Sequence, residues 1–263
     1  MPATADAYYV PSGEDTFLPT THTLGPWSPD AQHFGPPTAL LARAMARCAP
    51  RPGGALTKLT VDILGPLPPV EVRAAATVLR PGRTVELLGA ELSVGGRVAA
   101  RATAWRFASS DTAEVAGGAP EPMPPPTAGV ERPLPSGWFT QGYLASVEWR
   151  WLAGSWDEPG PAEVWGRPRF PLVRGEKNDG LEPLLTVTDS ASGLSARLNP
   201  AEGWLFPNTD LTVHIHRPPV GEWAGLRART VIGPAGTGVA TAVLHDLNGP
   251  VGHSSQILTV RAR

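Results

Sequence analysis

Leu59-Thr60-Val61-Asp62-Ile63 returns almost unchanged as Leu211-Thr212-Val213-His214-Ile215, and the segments after the two copies share one layout. After the first copy come a Pro-rich corner (Pro66 to Pro69), an alternating stretch from Val70 to Leu79 and a turn at Pro81-Gly82. A second stretch from Thr84 to Val94, then Gly95-Gly96 and a third from Val98 to Phe107 complete it. The second copy runs through Pro218-Pro219, Trp223 to Ile232, Gly233 to Gly236, Gly238 to Leu247, Asn248-Gly249 and Val251 to Val260. A repeat of this length exceeds a solenoid unit and describes two fused, equivalent domains that pack together.

Ahead of its strands each unit carries one helical pattern. The first, over 36–48, follows Pro36-Pro37, which suits a helix start. It places Leu40, Leu41, Ala44, Met45 and Cys48 on one face, with Arg43 and Arg47 turned away. The second, over 179–191, starts near Asp179, with Glu182 in position for a capping box and Pro183 confined to the first turn. Its apolar stripe is Leu181, Leu184, Leu185 and Thr188, and Asp189 falls on the same face by i, i+4 and i+8 spacing. An unpaired carboxylate there is costly to bury.

Strands are expected near 20–26, 56–65, 70–80, 83–94 and 97–108, and again near 143–153, 161–171, 207–217, 222–233, 237–247 and 250–261. Between the two sets, 109–137 is rich in Pro and Gly, lacks apolar periodicity and should be extended or mobile. The division is therefore a first unit at 1–115, a linker at 116–137 and a second unit at 138–263. One long helix followed by antiparallel strands, twice over, calls for an α+β fold in which a curved sheet wraps each helix.

Composition removes several functions. At 263 residues and 41% hydrophobic the chain can bury a large core. A net charge of −2 and a pI near 6.3 leave no basic surface for nucleic acid or anionic lipid. With neither a basic-then-apolar leader nor a stretch of membrane-spanning length, a soluble cytoplasmic protein is expected. The single Cys48 excludes an intrachain disulfide and reads as a small buried hydrophobe. His214 and His216 share a strand face as a metal pair would, yet Asp210 and Thr212 share it too, so a solvated or subunit-contact surface is expected and no metal. Gly233 to Gly236 is a hairpin turn and not a phosphate loop, since no helix follows. Trp138, Trp149, Trp151, Trp156 and Trp165 cluster after the linker, which suits core and oligomer contacts better than a ligand cage.

Three segments carry a family resemblance: Trp27-Ser28-Pro29-Asp30-Ala31-Gln32-His33-Phe34-Gly35-Pro36-Pro37 with the helix after it, His216-Arg217-Pro218-Pro219 followed by Glu222-Trp223, and Gly249-Pro250-Val251 through Gln256 to Arg261. Together they resemble acyl-CoA thioesterases of the double-hotdog type, the thioesterase II family, over nearly the whole chain outside the linker. The resemblance implies two hotdog units in one continuous antiparallel sheet, acyl-CoA bound near the surface between them, and thioester hydrolysis by water with neither metal nor cofactor. It also allows pairing into a homodimer or larger homo-oligomer.

Members of that family hold the water with an Asp on the second hotdog helix, a Thr at the start of the strand entering His-Arg-Pro, and a Gln on the last strand. Here these map to Asp189, to Asn208 or its neighbour Thr209, and to Gln256. Asn208 departs from the pattern, though its amide offers both a donor and an acceptor. Strict alternation instead puts Thr209 with Leu211, Val213 and Ile215 on the inner face, so both stay as candidates. Gln256, Leu258 and Val260 alternate onto one face, matched to Thr103, Trp105 and Phe107 in the first repeat. Backbone N–H groups at a helix start, around His33-Phe34-Gly35 or Asp179-Gly180, are the candidates to meet the substrate's developing oxyanion.

Three function classes remain: a thioesterase releasing free fatty acid and CoA, a catalytically silent acyl-CoA-binding protein, and an enoyl or hydroxyacyl thioester hydratase. The last requires an Asp/His pair at one carbon, and no Asp is followed closely by His in a suitable loop.

Overall fold

The computed structural model describes residues 6–178 and 180–262. The first half holds β1 (Tyr9–Pro11), β2 (Thr16–Pro19), α1 (Gly35–Arg47), β3 (Gly54–Ile63), β4 (Val72–Arg80), β5 (Val85–Val94) and β6 (Arg97–Ala108). The second holds α2 (Tyr143–Ser146), β7 (Val147–Ser155), β8 (Glu158–Pro168), α3 (Leu181–Thr188), α4 (Ala191–Leu194) and β9 (Trp204–Leu205). After these come β10 (Asp210–Ile215), β11 (Ala224–Ile232), β12 (Thr237–Asp246), β13 (Gly249–Thr259) and β14 (Arg261–Ala262). Twelve strands make one sheet in the order β1-β2-β4-β5-β6-β3-β10-β13-β12-β11-β8-β7, and β9 pairs separately with β14.

The centre of this sheet is the repeated pentapeptide paired with itself. Leu211 faces Val61, Thr212 faces Thr60 and Val213 faces Leu59, antiparallel. Outward from that pair, β6, β5 and β4 on one side mirror β13, β12 and β11 on the other. The fold is the expected double hotdog. Period-two alternation buries Leu59, Val61, Leu211 and Val213 and turns Asp62 and His214 outward. Helices α1 and α3 pack against each other as well as on the sheet. Leu40, Leu41 and Met45 of α1 and Leu185 of α3 are fully buried. The helices approach so closely at Gly35 that a Cβ there would lie 2.1 Å from the Thr186 carbonyl oxygen. None of the described helices is long and apolar enough to cross a membrane.

Several expectations are corrected. No strand covers 20–26: β1 and β2 come earlier, and Thr21–Thr23 is a 3-10 turn whose first turn is capped by the Thr20 hydroxyl. The strand expected from 143 begins only at Val147, after the single turn of α2. The second helix breaks after Thr188, where the Ser190 N–H reaches back to Val187 O, and resumes as α4; Asp179, its expected cap, lies outside the described residues. Cys48 is half-buried, because α1 has ended and its backbone is extended. Arg43 is not turned to solvent, since Glu176 holds its guanidinium through two bonds of 2.8 and 2.6 Å. Thr103 and Phe107 are exposed and Trp105 half-buried, so the inner-face equivalents of Gln256 and Leu258 are the buried Ala104 and Arg106. The linker is not a free tether in its second half: Met123 and Pro126 are buried, Trp165 Nε1 donates to Pro124 O, and Val130 pairs with Trp151.

Candidate active site

Asp189 closes α3, one turn beyond Leu185, and only 5% of it is exposed. A carboxyl buried this deeply must be compensated by hydrogen bonds. Two amides provide them. Gln256, on the inner face of β13, donates through Nε2 to Asp189 Oδ1 at 2.9 Å and to its main-chain oxygen at 3.1 Å. Its Oε1 accepts from the Ser192 N–H at 3.3 Å, so one side chain ties the end of α3 to the start of α4.

Asn208 donates through Nδ2 to the same Oδ1 at 2.8 Å and to Asp210 O at 3.1 Å. It can do so because β10 has not yet begun. The Asp210 carboxylate takes the Ile257 N–H at 2.6 Å, a backbone donor that regular pairing would use, and Asn208 keeps only an isolated bridge to Leu258. That irregularity turns residue 208 inward. Thr209 is exposed, and its backbone N–H and C=O bond to Ile257 and Ile63, stitching the two halves together.

The first unit contributes His33. Its Nδ1 lies 3.4 Å from Asp189 Oδ2 and 3.0 Å from the Gly35 N–H. One nitrogen cannot accept from Gly35 and donate to Asp189 at once. Burial lowers the His33 pKa, with the Asp189 charge opposing the shift. The imidazole is therefore neutral, with its Nδ1 lone pair directed at Gly35. Tyr143 stacks on the ring at 3.8 Å and 4° and fixes its plane. The Tyr143 hydroxyl is itself held by Thr186 O and Ser190 Oγ, and burial pushes its pKa well above 10.0, keeping it neutral.

Of the backbone donors near His33, most are spent. His33 N–H goes to Thr23 O and Gly35 N–H to His33 Nδ1, while Pro36 and Pro37 have none. The Phe34 N–H has no hydrogen bond among the described residues. Gly180 is at the far end of α3, about 13 Å from Asp189 for nine residues at 1.5 Å rise.

These groups open onto a cavity of about 410 Å³ between the two units. Asp189, Ser192 and Asn208 line one side; Trp27, Phe34, Trp138, Trp156 and Phe206 line much of the rest. Sequence reasoning missed this wall. Trp149, Trp151, Trp156 and Trp165 are core as expected, but Trp138 is only half-buried, and it and Trp156 line the cavity. Tyr143 was missed as well, and no spacing in the sequence would have placed it against His33. His214 and His216 are exposed, and the described residues contain no group of three His, Cys, Asp or Glu able to hold a metal.

A model of the acyl-CoA thioesterase N-terminal domain matches residues 23–107, and one of the C-terminal domain matches residues 120–260. The chain belongs to the acyl-CoA thioesterase family. Its general activity is therefore hydrolysis of acyl-CoA thioesters. Solved structures share the fold of this thioesterase at low identity. A conserved hotdog protein of unknown function from Alicyclobacillus acidocaldarius has a TM-score of 0.76 at 15% identity, covering 98% of this chain and 97% of that one. An acyl-CoA thioesterase II from Mycobacterium marinum has 0.68 at 14%, covering 97% and 96%. The tesB protein of Mycobacterium avium has 0.65 at 15%, covering 96% of each chain. No curated protein matches in sequence.

Proposed function

We propose that this thioesterase cleaves acyl-CoA to free acid and CoA with a water activated by Asp189. The observation that carries this reading is the division of labour at one buried carboxyl. Oδ1 is capped by the Asn208 and Gln256 amides, which leaves Oδ2 for the water. The family resemblance implies that all three side chains grip that water. Here the hydrogens of both amides are spent on Asp189 and on main-chain oxygens, so the water is oriented by donating to Asp189 Oδ2 and to Asn208 Oδ1. Its lone pair is then free to attack the thioester carbon.

As the C–O bond forms, Asp189 takes the proton on Oδ2. The Phe34 N–H donates to the oxyanion. Collapse breaks the C–S bond, and the CoA thiolate leaves, taking up the proton that Asp189 releases. His33, Phe34 and Gly35 are thus the substrate side of the site, and no cofactor enters. Thiol release from acyl-CoA by wild type, lost in Asp189→Asn while acyl-CoA still binds, tests the reading. Equal turnover in the variant would remove it, and binding without thiol release by wild type would favour the silent acyl-CoA-binding protein.

One observation favours the hydratase as second reading: folding brings His33 and Asp189 together although no short motif contains both. Its weakness is that Nδ1 is committed to Gly35 and the ring is neutral. Loss of enoyl-thioester absorbance without thiol release would support it.

A further inference from the structure

We propose that the acyl pocket is built for an acyl group carrying a flat ring, selected by Trp27 and Trp138. This rests on the thioesterase reading for the CoA end of the ligand. Trp27 comes from the loop before α1 and Trp138 from the start of the second unit, so the pair is assembled across the two units. Their rings stack at 5.6 Å and 23°, and Phe206 meets Trp27 edge-on at 4.8 Å and 86°. Trp156 lies 6.3 Å from Trp138 and is backed edge-on by the buried Trp149 and Trp151, which fixes its angle. The backbone beside the pair is tied as well, because the Phe139 N–H donates to Pro26 O at 2.9 Å.

Two of these rings are not core. Trp27 and Trp138 are only half-buried, and both line the cavity that Asp189 opens onto. Planar walls held at fixed angles do not remould around a flexible alkyl chain. They do offer faces and edges to another ring, a geometry worth more than its buried area alone. Asp189 and His33 are the ionisable side chains of this lining, and both are at the chemical end, so the acyl group is uncharged.

The test measures Kd for phenylacetyl-CoA and octanoyl-CoA, whose acyl groups have equal carbon number, on the full chain carrying Asp189→Asn, and kcat/KM for both on wild type. Phenylacetyl-CoA is expected to bind about 3- to 10-fold more tightly and to have the higher kcat/KM. Trp27→Leu and Trp138→Leu should bring the ratio of the two Kd values close to one, and Trp138→Phe should restore part of it. Octanoyl-CoA binding as tightly or more tightly overturns the proposal, whether or not the Trp variants fold. Tight phenylacetyl-CoA binding without thiol release in wild type would remove the hydrolase reading and leave ring selection standing. Thiol release with octanoyl-CoA preferred would do the reverse.

Discussion

Gln256 gives its amide nitrogen to Asp189 twice, at 2.9 Å to the carboxyl Oδ1 and at 3.1 Å to the main-chain oxygen. The side chain thus orients the carboxyl and pins the helix end that carries it. Gln256→Met keeps the volume and removes both donations. It should cost about 1–3 kcal/mol of stability, because the Asp189 oxygens and the Ser192 N–H lose a buried partner. It should also lower kcat by about 10- to 100-fold, more than it changes KM. Thiol-release kinetics beside a urea melt separate the effects, and an unaltered kcat would show that Oδ2 needs no help from Oδ1.

Asn208 and Thr209 are adjacent in sequence, and only the first reaches Asp189. Asn208→Leu, which takes away both the donor to Oδ1 and the acceptor offered to water, should reduce kcat by about 100-fold or more. Asn208→Thr restores a hydroxyl and should recover a substantial part. Thr209→Val should cost less than Asn208→Leu. The reverse ranking would mean that the strand start rearranges when substrate binds.

The architecture was legible because the repeated pentapeptide is the sheet's own centre: its alternation fixes which side chains are buried, and its recurrence fixes the symmetry. Asp189 was legible for a related reason, since helical spacing alone puts it on the leucine face. Periodicity fails where pairing is irregular. Asn208 turns inward because the Asp210 carboxylate takes a backbone N–H from β13, an event that leaves no pattern in the residues themselves. The same holds for contacts between distant segments. His33 meets Asp189 and Trp27 meets Trp138 only once the two units close on each other, and single-chain spacing carries no trace of that approach.

Gly35 is required by the approach of α1 to α3. A methyl group there would sit 2.1 Å from Thr186 O and 3.1 Å from His33 Nδ1. Because the near neighbour is backbone, the helices must separate to relieve it. Gly35→Ala should therefore destabilise the fold by about 1–3 kcal/mol despite the better helix propensity of Ala. It should also lower kcat by moving His33 away from Asp189. A thermal melt unchanged from wild type would show that the helices can part without cost.

Acid stability depends on two buried imidazoles. Burial lowers the pKa of His33 below 6.5, against the pull of Asp189. Burial also lowers that of His245, with Arg227 acting in the same sense and Glu163 and the Glu121 and Val243 backbones opposing. Both groups take up protons more readily in the unfolded chain, where their pKa is near 6.5, than in the folded one. Between the folded and unfolded values the unfolded state binds more protons, so stability falls as pH drops below about 6.5 and is unaffected by these groups above it. Each contributes a slope of at most ~1.4 kcal/mol per pH unit. Burial pushes the Glu148 and Asp246 carboxyls up, but Arg150 and Arg167 beside the one and Arg217 beside the other hold them below the usual carboxylate range, as Arg43 does Glu176, so their losses come only at lower pH. His245→Leu should flatten the decline that sets in below about pH 6.5 by up to one proton and leave the carboxylate losses at lower pH in place. Urea midpoints across that range read the difference, and parallel curves for variant and wild type would show that His245 accepts its proton without unfolding.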